Sequence, residues 1–305
     1  MEYFPQQKKK PILSFIILLV TIVPLLFYGM GILQRPPQTS MQEELFVGVT
    51  YQRQVKKQPR PVMIHVVSVD LTAPGIKLIV SPGVQDYQHT LARTTTEFLE
   101  EFSLQIAVNG SFFYPFEEAT PWDYYPHSGD PVNAVGQAIA NNIPYAPPQP
   151  NWYPLCILSS EKILISEQIA CPSGTEFALS GSHVLKLEEK IEIKGLREVG
   201  GIEKAYPRVL IGTNSKGNHL WIAAIDGKQP FYSEGMTLQE VAQLMQELGA
   251  TVALNLDGGG STTLAKSTPN GSKLLNAPIQ TKLPMRERPV ANHLGIYALS
   301  LPSKS

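Results

Sequence analysis

The sequence predicts a mixed α/β domain of the α+β kind, a twisted mixed sheet with packed helices, preceded by one transmembrane helix. Three observations carry that prediction. β-branched apolar runs such as Val62 to Leu71 alternate with short amphipathic helices, a helix leads straight into a strand twice, and an uncharged apolar stretch stands alone near the N-terminus. The chain has 305 residues, of which 43% are hydrophobic and 17% charged, enough apolar material for one core. The charges balance, 25 Lys and Arg against 26 Asp and Glu. A balanced chain lacks the clustered basic excess that neutralises phosphate backbones, so nucleic acid is excluded as a partner.

The 22 residues from Ile12 to Leu33 carry no charge, and as a helix rising about 1.5 Å per residue they match a hydrocarbon core about 30 Å thick. Lys8, Lys9 and Lys10 precede the run, while Arg35 behind it is opposed by Glu43 and Glu44. The positive-inside bias then predicts a cytoplasmic N-terminus (1–11), a membrane anchor (12–33) and an exported remainder. A cleaved signal peptide fits less well, because its apolar core runs only about 7 to 15 residues and Gly29-Met30-Gly31 is a poor cleavage site. Residues 34–59, beginning with a polar segment that holds Pro36-Pro37, are expected as a stalk, and 60–300 as one domain.

Within the domain, Val62 to Leu71 reads as a buried strand, and Pro74-Gly75 suggests that it forms a hairpin with Ile76 to Val80. Thr94 with Glu97, and Thr237 with Glu240, have capping-box spacing and predict two helix starts. The first helix buries Phe98, Leu99 and Phe102 and leads into a strand, Leu104 to Val108. Between Tyr114 and Pro154, nine prolines and eight aromatic residues fall in 41 positions without a period. Trp122, Tyr124, Tyr125, Tyr145 and Trp152 either form a platform for sugar rings or pack onto the body; both readings stay open. Cys156 and Cys171, fifteen positions apart, are expected to bridge in an exported domain. Arg208 to Gly212 and Leu220 to Ile225 flank a turn-rich segment and read as a hairpin ending at Asp226-Gly227. Leu238, Val241, Met245 and Leu248 share one helix face, Gly249 stops that helix, and Thr251 to Leu256 follows as a strand.

Asp257 stands at the end of that strand before Gly258, Gly259, Gly260, Ser261, Thr262 and Thr263. Three glycines let backbone N–H groups approach an anion, the hydroxyls add donors, and the carboxylate adds a charge. No Gly-Lys-Ser/Thr follows, so this is not a nucleotide-binding P-loop. The six histidines show no metal-binding spacing, and neither a metal nor a cofactor is expected.

The run Asn255-Leu256-Asp257-Gly258-Gly259-Gly260-Ser261-Thr262 resembles the hallmark of the phosphodiester glycosidases. In the same order, Asn109-Gly110-Ser111-Phe112-Phe113 is similar to the family's N-G-G-F-F, Arg208 and Gly212 to its R-x-x-x-G, and Asp226-Gly227-Lys228 to its D-G-R. Gly235-Met236-Thr237-Leu238 is similar to its G-M-T-L, and Arg288-Pro289-Val290 with Asn292 to its R-P-V-x-N. The chain departs from the pattern at Ser111, Lys228 and Thr262. The resemblance implies hydrolysis of the bond between a sugar's anomeric carbon and a phosphodiester. It implies Asp257, Asp226 and Arg208 as catalytic residues, and Asn109, Gly110, Gly258, Gly259, Gly260, Ser261, Thr262, Arg288 and Asn292 as substrate-binding ones. A departing phosphomonoester is already a weak base, so the reaction needs charge stabilisation more than a general acid. Two other functions remain open: a non-catalytic binder of envelope glycan or wall polymer on the same fold, and an esterase with Ser261 as nucleophile, for which no partner histidine is legible.

Overall fold

The computed structural model describes residues 10–84, 89–159, 162–188, 190–196 and 203–302, with side chains from Ile22 onward. The expected cytoplasmic N-terminus, with Lys8 and Lys9, lies outside the described residues apart from the backbone of 10–11. A helix, α1, spans Lys10–Leu33 and contains Pro24. Among the described residues no helix is long and apolar enough to cross a membrane. Of α1, Ile22 to Leu33 have described side chains, a stretch of about 18 Å at the usual helical rise.

Behind α1 lies one mixed α/β domain, mostly sheet, arranged as helix, sheet, sheets, helix. An eight-stranded sheet runs in the order Met41–Phe46, Val49–Lys56, Val62–Asp70, His219–Ile225, Arg208–Thr213, Val252–Asn255, His183–Lys186, Glu192–Gly195. The period-2 alternation of its central strands divides two cores. Val62, Ile64, Val66, Leu210, Ala223 and Ile225 face the helix α3 (Leu238–Glu247), whose Leu238, Val241, Leu244 and Met245 fill the other side. Val67, Val69, Val209, Ile211, Ile222 and Leu254 face the interior, where two five-stranded sheets close the core. One of these, Gly271–Leu274, Leu264–Thr268, Ile106–Asn109, His293–Tyr297 and Lys77–Val80, is backed by α2 (Thr95–Glu101) through Phe98 and Leu99. The other holds Ile143–Ala146, Ala138–Ala140, Phe177–Gly181, Tyr153–Ser159 and Lys162–Ile165.

Both capping boxes form. Thr94 and Thr237 accept from the backbone N–H of Glu97 and Glu240, whose carboxylates accept in return from the cap residues. Gly212 explains why α3 sits so close to the sheet. A Cβ there would stand 2.4 Å from the Met245 methyl.

Four expectations need correction. Every ladder between named strands is antiparallel, so the sheets are not mixed. Residues 34–59 are not all stalk: 41–46 and 49–56 are the first two strands of the large sheet, with Val49 and Tyr51 buried in the core. The strands on either side of Pro74-Gly75 part into different sheets, because each pairs better elsewhere, Val62–Asp70 with His219–Ile225 and Lys77–Val80 with His293–Tyr297. The proline-rich segment 114–154, which shows no period in the sequence, wholly contains five short strands, each of four residues or fewer, between the end of Phe113–Tyr114 and the start of Tyr153–Ser159.

Cys156 and Cys171 are bridged, with their Cα atoms 5.7 Å apart, tying the strand Tyr153–Ser159 to the loop beyond Lys162–Ile165. Closing a 15-residue loop stabilises by about 3 kcal/mol in the chain-entropy model. Alkylation of denatured, unreduced protein is expected to add no mass, and alkylation after reduction to add two labels; two labels before reduction would contradict the bridge.

Candidate functional site

The site forms where strands of the large sheet and of the α2-backed sheet end side by side. The Asn109 side chain is fully buried and bridges them: its Nδ2 donates to the Asp257 carbonyl (2.8 Å), and its Oδ1 accepts from Thr263 N–H (3.0 Å). Asp257 N–H donates in turn to Gly110 O, and Gly110 N–H to Asn292 O. Asn292 accepts from Ser111 N–H at 2.7 Å and donates to the Tyr145 hydroxyl. Asn109, Gly110 and Asn292 are therefore the frame that holds the glycine loop, and none of them lines the cleft in front of it. In this structure their visible role is to position the loop.

That cleft has a volume of about 1100 Å³. Asp257 with Gly258, Gly259 and Gly260 forms part of its floor. The loop is shaped by its neighbours. Gly259 has φ +64°, and a Cβ on Gly260 would meet the Arg288 guanidinium at 2.5 Å. The expected anion nest is largely consumed by the loop's own bonds. Gly258 N–H donates to Asp257 Oδ1, Gly259 N–H to Pro207 O, and the N–H groups of Ser261 and Thr262 to Gly258 O and Gly259 O.

Charge for an anion comes instead from side chains. Among the described residues five cations line the cleft, Lys204, Arg208, Lys228, Lys282 and Arg288, against two carboxylates, Asp257 and Glu118. Arg208 is held by carbonyls, its Nε donating to Met236 O (2.8 Å) and its Nη2 to Lys204 O (3.2 Å). Burial pulls its pKa down to about 10, still well above neutrality. Arg288 donates to Gln280 Oε1, Ser261 Oγ and Glu118, and lies over the Phe116 ring. Lys228 Nζ donates to the Tyr206 hydroxyl at 2.6 Å. Removal from water pushes the Asp257 carboxyl up to about 6, against the opposing pull of Arg288 and hydrogen bonds from Ser261 and Gly258. Ser261 is fully buried between Arg288 and Asp257, which does not suit a nucleophile. Thr262 is buried too, and neither residue lines the cleft.

Asp226, the other catalytic candidate, lies away from the cleft. It is 1% exposed and absent from the cleft lining. Its Oδ2 meets His65 Nε2 at 3.0 Å, while its Oδ1 accepts from Asn276 Nδ2 and Ala277 N–H. His65 Nδ1 lies 2.8 Å from the Tyr51 hydroxyl, which completes a buried polar cluster. The Asp-Gly turn signal and the match to D-G-R did not reveal this, because the partners Tyr51, His65 and Asn276 are remote in sequence.

Of the five aromatics considered as a platform, Trp152 lines the cleft, packed edge-on to Phe112. Tyr145 is buried, Tyr125 donates to Pro131 O, Tyr124 lies under Arg286, and Trp122 is 85% exposed. The aromatic wall is completed by Phe112, Phe113 and Phe116 instead. The sequence reading also missed Asn255 as a cleft residue. Its Oδ1 is buried and has no hydrogen-bond partner among the described residues, which leaves an acceptor for a ligand hydroxyl. Neighbouring His183 is held below the usual imidazole pKa by burial, and so is neutral at pH 7. Among the described residues no group of three or more His, Cys, Asp or Glu side chains is placed to hold a metal ion.

Replacing Asp226 by Ala strands the donors of His65, Asn276 and Ala277 in a dry interior. The expected outcome is a loss of about 2 to 4 kcal/mol in unfolding free energy, read by urea denaturation. A variant as stable as the parent would show that Asp226 does not hold this cluster together.

No curated protein matches the chain. Among solved structures, the catalytic domain of zebrafish N-acetylglucosamine-1-phosphodiester alpha-N-acetylglucosaminidase, auto-inhibited by its pro-peptide, is 20% identical with a TM-score of 0.57, covering 86% of each chain. A hypothetical protein from Synechocystis is 15% identical with a TM-score of 0.57, covering 82% of this chain, which spans 62% of that one. Likenesses at these identities establish a shared fold. A family model described as phosphodiester glycosidase matches residues 102–297, from just after α2 through the glycine loop to the final strand. That match takes in well over half of the sequence, and the chain belongs to the phosphodiester glycosidase family.

Proposed function

We propose that the protein is a membrane-anchored, exported hydrolase that cleaves the bond between a sugar and the phosphate of a sugar-1-phosphodiester. The observation that carries this reading is the cation-rich cleft with one desolvated carboxylate, Asp257, on its floor. The zebrafish protein of like fold is named for activity on an N-acetylglucosamine phosphodiester. A phosphodiester brings one negative charge, which Arg208, Lys228 and Arg288 neutralise while the sugar lies against the Phe112 and Trp152 wall. Asn255 Oδ1 accepts from a sugar hydroxyl. Asp257, ionised, takes a proton from water as that water attacks the anomeric carbon. The carbon–oxygen bond to phosphate breaks, and its electron pair leaves with the phosphomonoester, whose growing charge the same cations stabilise.

The anchor is α1. From Ile22 to Leu33 its large apolar side chains are exposed, among them Leu25 at 69%, Phe27 at 70% and Leu33 at 85%. A helix whose described large apolar side chains stay exposed, with Gly31 at its end packed on Pro284, needs another apolar medium around it, and lipid supplies one. With Lys8 to Lys10 in front, the N-terminus stays cytoplasmic and the domain lies on the exported side. Full-length chain expressed in cells is expected to remain with alkaline-washed membranes and to keep its N-terminal residues; a mature N-terminus beyond Gly31 would exclude the anchor.

Asp257→Asn keeps shape and removes charge. Turnover on sugar-1-phosphodiesters is expected to fall by about 100-fold or more, the scale of a lost general base. The wild-type rate should rise with pH through about 6 and level off above it, because the ionised form works. The folded carboxyl sits above its ordinary 3.8, so ionisation costs the folded state, and stability is lost as pH rises from there towards about 6. At pH 7 Asp257→Asn should therefore melt no lower than the parent. Near-parental turnover, or a melting point well below the parent's, would refute the assignment.

A further inference from the structure

We infer that the cleft is served from the lipid surface, and that its substrate is a glycosyl phosphodiester whose second ester is a lipid alcohol embedded in the membrane. This rests on the sugar-1-phosphodiester reading and on the anchoring of α1. The chain leaving α1 is clamped by two loops. At Gly31 an added Cβ would lie 2.8 Å from Pro284 O. The Arg35 guanidinium stands 5.0 Å over the Tyr232 ring, the Tyr232 hydroxyl donates to Pro36 O, and Gln38 Nε2 donates to the carbonyls of Phe231 and Tyr232. The same two loops supply Lys228, Ile279 and Lys282 to the cleft. A helix that ends on the loops bordering a cleft, and that also ends at a bilayer, places the mouth of that cleft beside the headgroups.

The outer faces of these loops are built for such a place. Phe231 is 94% exposed, with φ at +65°, a conformation a bulky residue rarely adopts. Neither the core nor the cleft uses its ring, so folding gives no reason for an aromatic there. Trp122, 85% exposed, sits on a short hairpin that is stapled to the second loop, since Arg286 donates to Pro121 O at 2.7 Å and lies over the Tyr124 ring. Trp and Phe with lysines beside them have the composition of a membrane-interface contact. Phe116, 43% exposed, runs from this hairpin into the cleft wall and offers an apolar path for a lipid chain beside the phosphate-binding Arg288. The reaction balances as sugar–O–phosphate–lipid plus water giving free sugar and a lipid phosphomonoester, which stays in the leaflet.

The test uses full-length protein reconstituted in vesicles of phosphatidylcholine and phosphatidylglycerol. The probes are the hexadecyl and the methyl phosphodiesters of glucose and of N-acetylglucosamine, the first in the same vesicles and the second in solution. The expected result is faster hydrolysis of a hexadecyl diester than of its methyl counterpart. Trp122→Ser with Phe231→Ser should lower the hexadecyl rate by about tenfold or more, two interfacial aromatics being lost, and leave the methyl rate unchanged. Brominated lipid should quench wild-type fluorescence more than that of Trp122→Phe. Equal rates on the two diesters, or no effect of the double substitution, would overturn the lipid inference while the phosphodiester reading stands. Hydrolysis of neither diester would overturn both.

Discussion

The two hydrogen bonds of the Asn109 side chain join the domain's two halves at the point where chemistry is expected. The glycine loop leaves the large sheet at Asp257 and enters the α2-backed sheet at Leu264, so it has to cross from one to the other. Asn109 holds both sides of the crossing, the Asp257 carbonyl and the Thr263 N–H. Without it, two buried backbone groups lose their partners and the Asp257 side chain loses its fixed origin. Gly110 and Asn292 extend the same seam, so that two neighbouring residues and a third about 180 positions on form one support. Their importance lies in geometry rather than in contact with a ligand.

The cations around the cleft are held mostly by neutral partners. Arg208 leans on two carbonyls and Lys228 on a phenol, while Arg288 shares a carboxylate, Glu118, with the solvent side of the cleft. An ammonium fixed by a phenol keeps its full charge for a ligand, whereas a guanidinium fixed by a carboxylate is partly spent. Lys228 is therefore available at little cost in reorganisation. The Asp257 carboxyl, poorly hydrated, is in the opposite position: the fold raises its proton affinity and leaves it a stronger base than a free aspartate.

How much of this was legible depended on how local the signal was. Capping boxes at Thr94 and Thr237, the hairpin from Arg208 to Ile225 and the strand ending at Asp257 are written within a few residues, and each formed. The pairing of Val62–Asp70 was not, because a Pro-Gly turn is a local cue while its true partner, His219–Ile225, lies about 150 residues on. The first two strands were hidden by a polar, Pro-bearing start that resembles a linker, although Val49, Tyr51 and Arg53 alternate inward. Asp226 and the platform aromatics show the limit of such cues. A carboxylate or a ring announces chemistry, but whether it faces a cleft or a dry interior is settled by residues that the local pattern does not contain.

The excess of positive charge among the described cleft residues bears on kinetics as well as on recognition. On the proposed reaction, a phosphodiester enters with one negative charge and a phosphomonoester leaves with between one and two at neutral pH. Arg208, Lys228 and Arg288 hold the departing group more strongly than the arriving one. An arrangement that favours bond breaking thus retards dissociation, and turnover becomes limited by product release, with inorganic phosphate as a competitor. Protonation of the product in mildly acidic surroundings would loosen that grip even as it begins to silence Asp257, so the two steps pull the working pH in opposite directions.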